Sequence, residues 1–165
     1  MNLEDPALKN TFTLSACANH AITMNTLAAE QLASKYPDTS FIHASPGAVE
    51  TRLHRDFGSL ASVGLKFAFI LARPWVTPIL ESGERHLFAA TSMQYPPRSM
   101  KSVDDTEQGI NGVKGSGAYS ISANGSYAQN EKVVQEYRSQ GVGERIWEHT
   151  LDVFEKVCGT GGGKY

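Results

Sequence analysis

Cysteine is nearly absent from this chain: Cys17 and Cys158 are its two thiols among 165 residues. They make no disulfide framework and neither sits at metal-ligand spacing, so a reducing, cytoplasmic setting is the simple expectation. Charge of either sign is not in excess. A formal net charge of −2 offers nucleic acid or an anionic membrane no basic surface. The segment Met1 to Pro6 lacks a basic region followed by an apolar one, so no secretory signal is expected. Long apolar runs are scarce. The longest, 60–72, is too short for a bilayer and is interrupted by Lys66, so membrane contact is not expected. It reads as a buried or interface helix, or else as a surface helix or lid over an apolar substrate.

Catalytic signatures are missing as well. There is no His-x-x-x-His or His-Glu-x-x-His for a metal, and no Gly-x-Ser-x-Gly nucleophile turn. The glycines at 159–163 make no phosphate loop, because no strand leads into them. Asn124-Gly125-Ser126 matches a glycosylation sequon but reads better as a tight turn. No internal repeat is evident.

What is present suits one globular domain over 1–157 with a disordered Gly-rich tail at 158–165; hydrophobic residues make up 41% and charged residues 19%. The spacing of Leu14, Cys17, Ala18, Ala21, Met24, Ala28 and Leu32 predicts a helix over 13–36, capped by Thr11 or Thr13 and stopped by Pro37. A strand over 40–45 follows and ends in Pro46-Gly47. Beyond Pro74 and Pro78 comes a helix over 79–92, its apolar side formed by Ile79, Leu80, Gly83, Leu87, Phe88 and Ala90. A long mobile loop is expected over 101–117, then a strand at 118–122 turned into a small hairpin by Asn124-Gly125. Helices near 130–139 and 142–157 close the chain, the second burying Ile146, Trp147, Thr150, Val153, Phe154 and Val157.

Three stretches in this order carry a resemblance: Cys17 to Met24, Ser45-Pro-Gly-Ala-Val-Glu-Thr51, and Glu144 to Phe154. Together with the Gly-Ser-Gly-Ala-Tyr ahead of the last strand, they resemble the C-terminal half of a fungal short-chain dehydrogenase/reductase, over about residues 8 to 157. The resemblance implies an α/β fold: a partial, truncated Rossmann-like unit, helix-rich with few strands and completed by dimerisation. It also implies departures. The family's glycine turn for the dinucleotide pyrophosphate lies in a half not represented here, as do the strands carrying its catalytic Ser and Asn. The family's Tyr-x-x-x-Lys pair falls on Phe12 and Ala16, which can neither donate a proton nor lower a neighbour's pKa. No cofactor is therefore expected. A half sheet leaves an open strand edge and apolar surface, so a homodimer is expected, with the 13–36 helix buried.

The candidate catalytic residues are His20, His43 and Glu50, and each has a structural alternative. The histidines titrate near neutrality but are equally readable as inherited core residues, and Glu50 as a base competes with a solvated turn carboxylate. Phe12, Ser45, Thr51, His54, Phe67 and Trp75 are the candidate substrate-binding residues, with Thr51 also placed to cap a helix. Tyr119 could donate a proton or simply pack in its strand; Glu84 with His86, and Glu148 with His149, read as polar helix faces. The expected activity is a cofactor-independent, non-redox step on a small apolar molecule of secondary-metabolite type: isomerisation, cyclisation or rearrangement. Two alternatives stand beside it: a silent remnant or partner subunit of a dehydrogenase, and an NAD(P)-dependent oxidoreductase whose site is rebuilt by oligomerisation.

Overall fold

The computed structural model describes residues 1–49, 64, 71–72, 75–100, 104–128 and 131–159. Its elements run α1 (Leu14–Lys35), β1 (Phe41–Ala44), α2 (Ile79–Thr91), β2 (Ala118–Ile121), α3 (Glu131–Ser139) and α4 (Val142–Cys158). The chain is an α/β protein. The segments 50–63 and 65–70 lie outside the described residues, and with them most of the predicted 60–72 helix; so does the tail from 160 onward.

Thr13 starts α1 by accepting the Ala16 N–H at 3.0 Å, relieving one of the unpaired donors of a first turn. The helix then crosses a two-stranded parallel sheet in which Phe41, Ile42, His43 and Ala44 stand opposite Ala118, Tyr119, Ser120 and Ile121. Alternation along a strand divides these residues between two faces. Phe41 and Ala118 pack with Leu27, Ala29 and Ala33 of α1, Val134 of α3, and Val142 and Ile146 of α4. Ile42, Ala44, Tyr119 and Ile121 pack on the other side with Ala89 of α2 and Tyr95.

The two strands are not equivalent. Phe41 N–H and Ser45 N–H donate to Gly117 O and Ile121 O, each at 2.8 Å, so alternate amides of β1 point to β2 and the rest point away. Beyond β2 the Asn124-Gly125 turn brings the chain back: Ala128 N–H reaches Ser120 O at 3.1 Å and Ser122 N–H reaches Ser126 O at 2.8 Å. The expected hairpin is there. β2 is consequently buried at all four positions, whereas β1 is half-buried at all four and pairs along one edge among the described residues.

Three expectations about packing need correction. The buried face of α1 comprises His20, Thr26, Leu27, Ala29 and Ala33, not the Leu14, Cys17, Ala18 series; Leu14 is 82% exposed. Among the described residues the sheet and α4 pack on the second half of the helix, and the N-terminal segment on its first half at His20. On α4 the buried residues are Val142, Gly143 and Ile146, while Val153 and Phe154 are exposed. On α2 the apolar residues Ile79, Leu80, Leu87 and Phe88 are exposed, and Ala89 alone is buried. The stretch 104–117 is also better built than a loose loop. Ile110 enters the core at 2% exposure, and Gly109 N–H closes a turn onto Val113 O at 3.0 Å. Arg138 fastens the same region to α1, its guanidinium bonding Glu30 at 2.6 and 3.2 Å and Ile110 O at 3.0 Å.

Candidate functional site

The carboxyl ends of parallel strands are where α/β proteins hold ligands, because the loops leaving them diverge. Here those ends open into a cavity of about 390 Å³. Its apolar wall is Ala44, Phe88, Ala89 and Ile121; its polar groups include Ser45, Arg85, His86, Gln94, Tyr95, Glu107 and Asn124. The mixture suits a small, largely apolar molecule bearing a few polar atoms.

Local sequence explains the shape. Pro46 halts β1, and Gly47 turns the chain at φ +69°, where a Cβ would stand 2.8 Å from the Ala123 methyl. The two strand-end turns thus meet at a point that only glycine fits. Across the mouth, Arg85 of α2 pairs with Glu81 one turn earlier and donates to Ala123 O, tying helix to turn. His86 bonds Ser82 O through Nδ1 at 2.7 Å.

Tyr95 is the most enclosed polar residue of the wall, at 5% exposure. Its ring meets that of Tyr119 edge-on, with centroids 5.4 Å apart and planes at 75°. Tyr119 is fixed in turn, fully buried, with its hydroxyl donating to Pro96 O at 2.7 Å. Burial raises the Tyr95 phenol above its ordinary pKa and the Glu107 carboxylate adds to the rise, so the group stays protonated and able to donate. Burial also raises Tyr119.

The residues singled out from sequence scatter. Ser45 lines the cavity. His43 is on the opposite face of the sheet, where its Nδ1 lies 2.9 Å from Thr26 Oγ1 of α1, and burial lowers its pKa. His20 is buried with both ring nitrogens occupied: Nε2 accepts the Asn2 N–H at 2.8 Å, leaving Nδ1 to face Pro6 O at 3.3 Å. It pins the N-terminal segment to α1. Phe12 and Trp75 are exposed, at 62% and 79%, away from the cavity wall. Glu50, Thr51, His54 and Phe67 lie outside the described residues. Tyr95, Arg85, Gln94 and Glu107 are residues that sequence reasoning misses, and Glu84 with His86, which read as a polar helix face, both line the cavity. The available signal was Tyr95-Pro96-Pro97, a rigid aromatic turn placed to meet an alternating strand.

Among the described residues no three His, Cys, Asp or Glu side chains gather as a metal would require, and no helix is long and apolar enough to cross a membrane. Of the described strands, β1 leads into the Pro46-Gly47 turn and β2 into the 122–128 hairpin.

Sequence comparison supplies the relatives. An oxidoreductase of Emericella nidulans is 32% identical over 167 aligned positions, 95% of this chain and 50% of the relative. The oxidoreductase andH of Emericella variicolor is 34% identical over 86% of this chain and 44% of its own length. The oxidoreductase lepF of Aspergillus flavus is 31% identical over 98% and 49%. Its relatives are fungal oxidoreductases. A further one, from an Aspergillus species, is described as having an NmrA-like family domain. The chain spans about half the length of the curated relatives it matches. No family model and no solved structure matches it.

Proposed function

We propose that this chain is the C-terminal, substrate-side half of a short-chain-dehydrogenase-like, Rossmann-derived fold. On this reading it binds a small, mostly apolar molecule at the carboxyl ends of β1 and β2. The step it assists there moves a proton within the substrate, as isomerisation or ring closure does, so no oxidant or reductant is consumed. The cavity carries this reading: an apolar wall of Ala44, Phe88, Ala89 and Ile121 faces groups that donate or accept protons. Phe12 and Ala16, at the positions that resemble the family's Tyr and Lys, have neither an ionisable proton nor a charge. Holding a flexible substrate in one reactive shape would remove part of its entropic barrier.

Calorimetric titration of the purified chain tests this directly. A small aromatic ketone such as acetophenone is expected to bind, and NADPH and NADH to give no micromolar binding. Micromolar binding of either dinucleotide would return the chain to hydride chemistry.

A second reading is favoured by the half-buried β1, paired along one edge among the described residues, and by exposed Phe12, Leu14 and Ile22 on and beside α1. Here the chain completes its sheet against a second copy of itself. Sedimentation equilibrium at micromolar concentration should then give twice the 17.9 kDa chain mass. A monomer that binds ketone would remove this reading and leave the first.

A further inference from the structure

The Tyr95 hydroxyl makes no hydrogen bond among the described residues, yet its ring is held by the edge-on contact with Tyr119, whose own hydroxyl is fixed on Pro96 O at 2.7 Å. Tyr95 lines the cavity, and among the described residues its oxygen is not one of the sealed polar atoms lacking a partner. A phenol ordered by packing rather than by its own hydrogen bond costs little further ordering when a ligand takes the proton. Of the other donors at the wall, Arg85 is engaged with Glu81 and Ala123 O, and His86 with Ser82 O through one nitrogen; Ser45, Gln94 and Asn124 also carry donors there, but Tyr95 is the most enclosed.

We infer that Tyr95 is the specificity-determining donor of this cavity, giving its hydroxyl hydrogen to the carbonyl oxygen of a ketone or aldehyde ligand. Tyr119 acts as its positioning residue. The apolar wall takes the hydrocarbon body, so the ligand class is a compact carbonyl compound, aryl or alicyclic, and not a sugar or a nucleotide. This rests on the cavity being the binding site, and the experiment separates the two ideas.

Acetophenone and ethylbenzene have nearly the same shape and differ in the carbonyl. Each is titrated against the wild type and against Tyr95→Phe, which keeps the ring and its packing, with circular dichroism melting to confirm the fold of both proteins. The expected result is a fall of about five- to tenfold in acetophenone affinity for Tyr95→Phe and no loss for ethylbenzene, the size of one hydrogen bond in a double-mutant cycle. On the wild type alone, carbonyl-labelled acetophenone should show its carbonyl carbon resonance moving downfield on binding. Equal changes for both ligands, or an upfield or unmoved carbonyl resonance, would overturn the assignment of Tyr95 while leaving the cavity intact. Binding of neither ligand to the wild type would overturn the cavity reading and this inference with it.

Discussion

The two faces of the sheet are built from the same eight strand residues and end up with opposite characters. The α1 face is closed: Leu27 and Val142 are at 1% and 0% exposure, and its two polar strand residues are both met, His43 by Thr26 and Ser120 by Ala128 O. The α2 face is left open at the strand ends, with Phe88 54% exposed beside the cavity and Tyr95 turned in without a partner among the described residues. One face holds the fold together and the other is free to hold something else. Packing density, not the presence of a titratable residue, separates them.

The sharpest way to break the comparison is to remove one large side chain from each face. Leu27→Ala should cost about 2–5 kcal/mol in urea unfolding, as deletion from a filled core does, whereas Phe88→Ala should cost less than about 1 kcal/mol. Similar losses would mean that the α2 face is packed as tightly as the other. Gly47→Ala comes next, at about 1–2 kcal/mol, because its left-handed backbone and the Ala123 methyl both oppose a Cβ. It should also weaken acetophenone binding by shifting the rim, an effect that Leu27→Ala lacks when measured on folded protein. Arg138→Ala, which removes the half-exposed link between Glu30 and Ile110 O, should cost about 1 kcal/mol on the closed side, and less in high salt.

The smallest effect is a pH dependence confined to the closed face. Burial depresses the His43 pKa in the folded chain, so the unfolded chain binds its proton more readily. The stability this provides is complete above the unfolded value of 6.5 and falls away as pH drops through the folded value. Subtracting the pH–stability profile of His43→Asn from that of the wild type should leave a rise between pH 5 and about 7. A flat difference would place His43 in contact with solvent.

Much of this architecture is legible in the residues. Phe41 to Ala44 reads as a strand from its β-formers and its Pro-Gly stop, the Asn124-Gly125 turn announces its hairpin, and every described helix lies where apolar spacing and proline put it. Which side of each element is buried was far less legible. Alanine-rich α1 offers several weakly apolar stripes, and the sheet, α4 and Ile110 select the one through Leu27 and Ala33. The candidate site suffers from the same ambiguity. His43 and Ser45 are two residues apart near one strand end, yet His43 is joined to α1 and Ser45 lines the cavity beyond the turn. Tyr95 and Glu107 are invisible for another reason: they come from loops placed by long-range contacts, the Tyr119 hydroxyl on Pro96 O, 23 residues apart, and the Glu107 N–H on Gln94 O.

The distinction between the faces is tested most directly by amide chemical-shift mapping of the labelled protein during titration with acetophenone. Shifts should concentrate at Ala44, Ser45, Ala89, Tyr95 and Ile121, with Leu27, Val134, Val142 and Ile146 unmoved. Shifts centred on the α1 face, around Thr26 and His43, would contradict the account and move the site to the other side of the sheet.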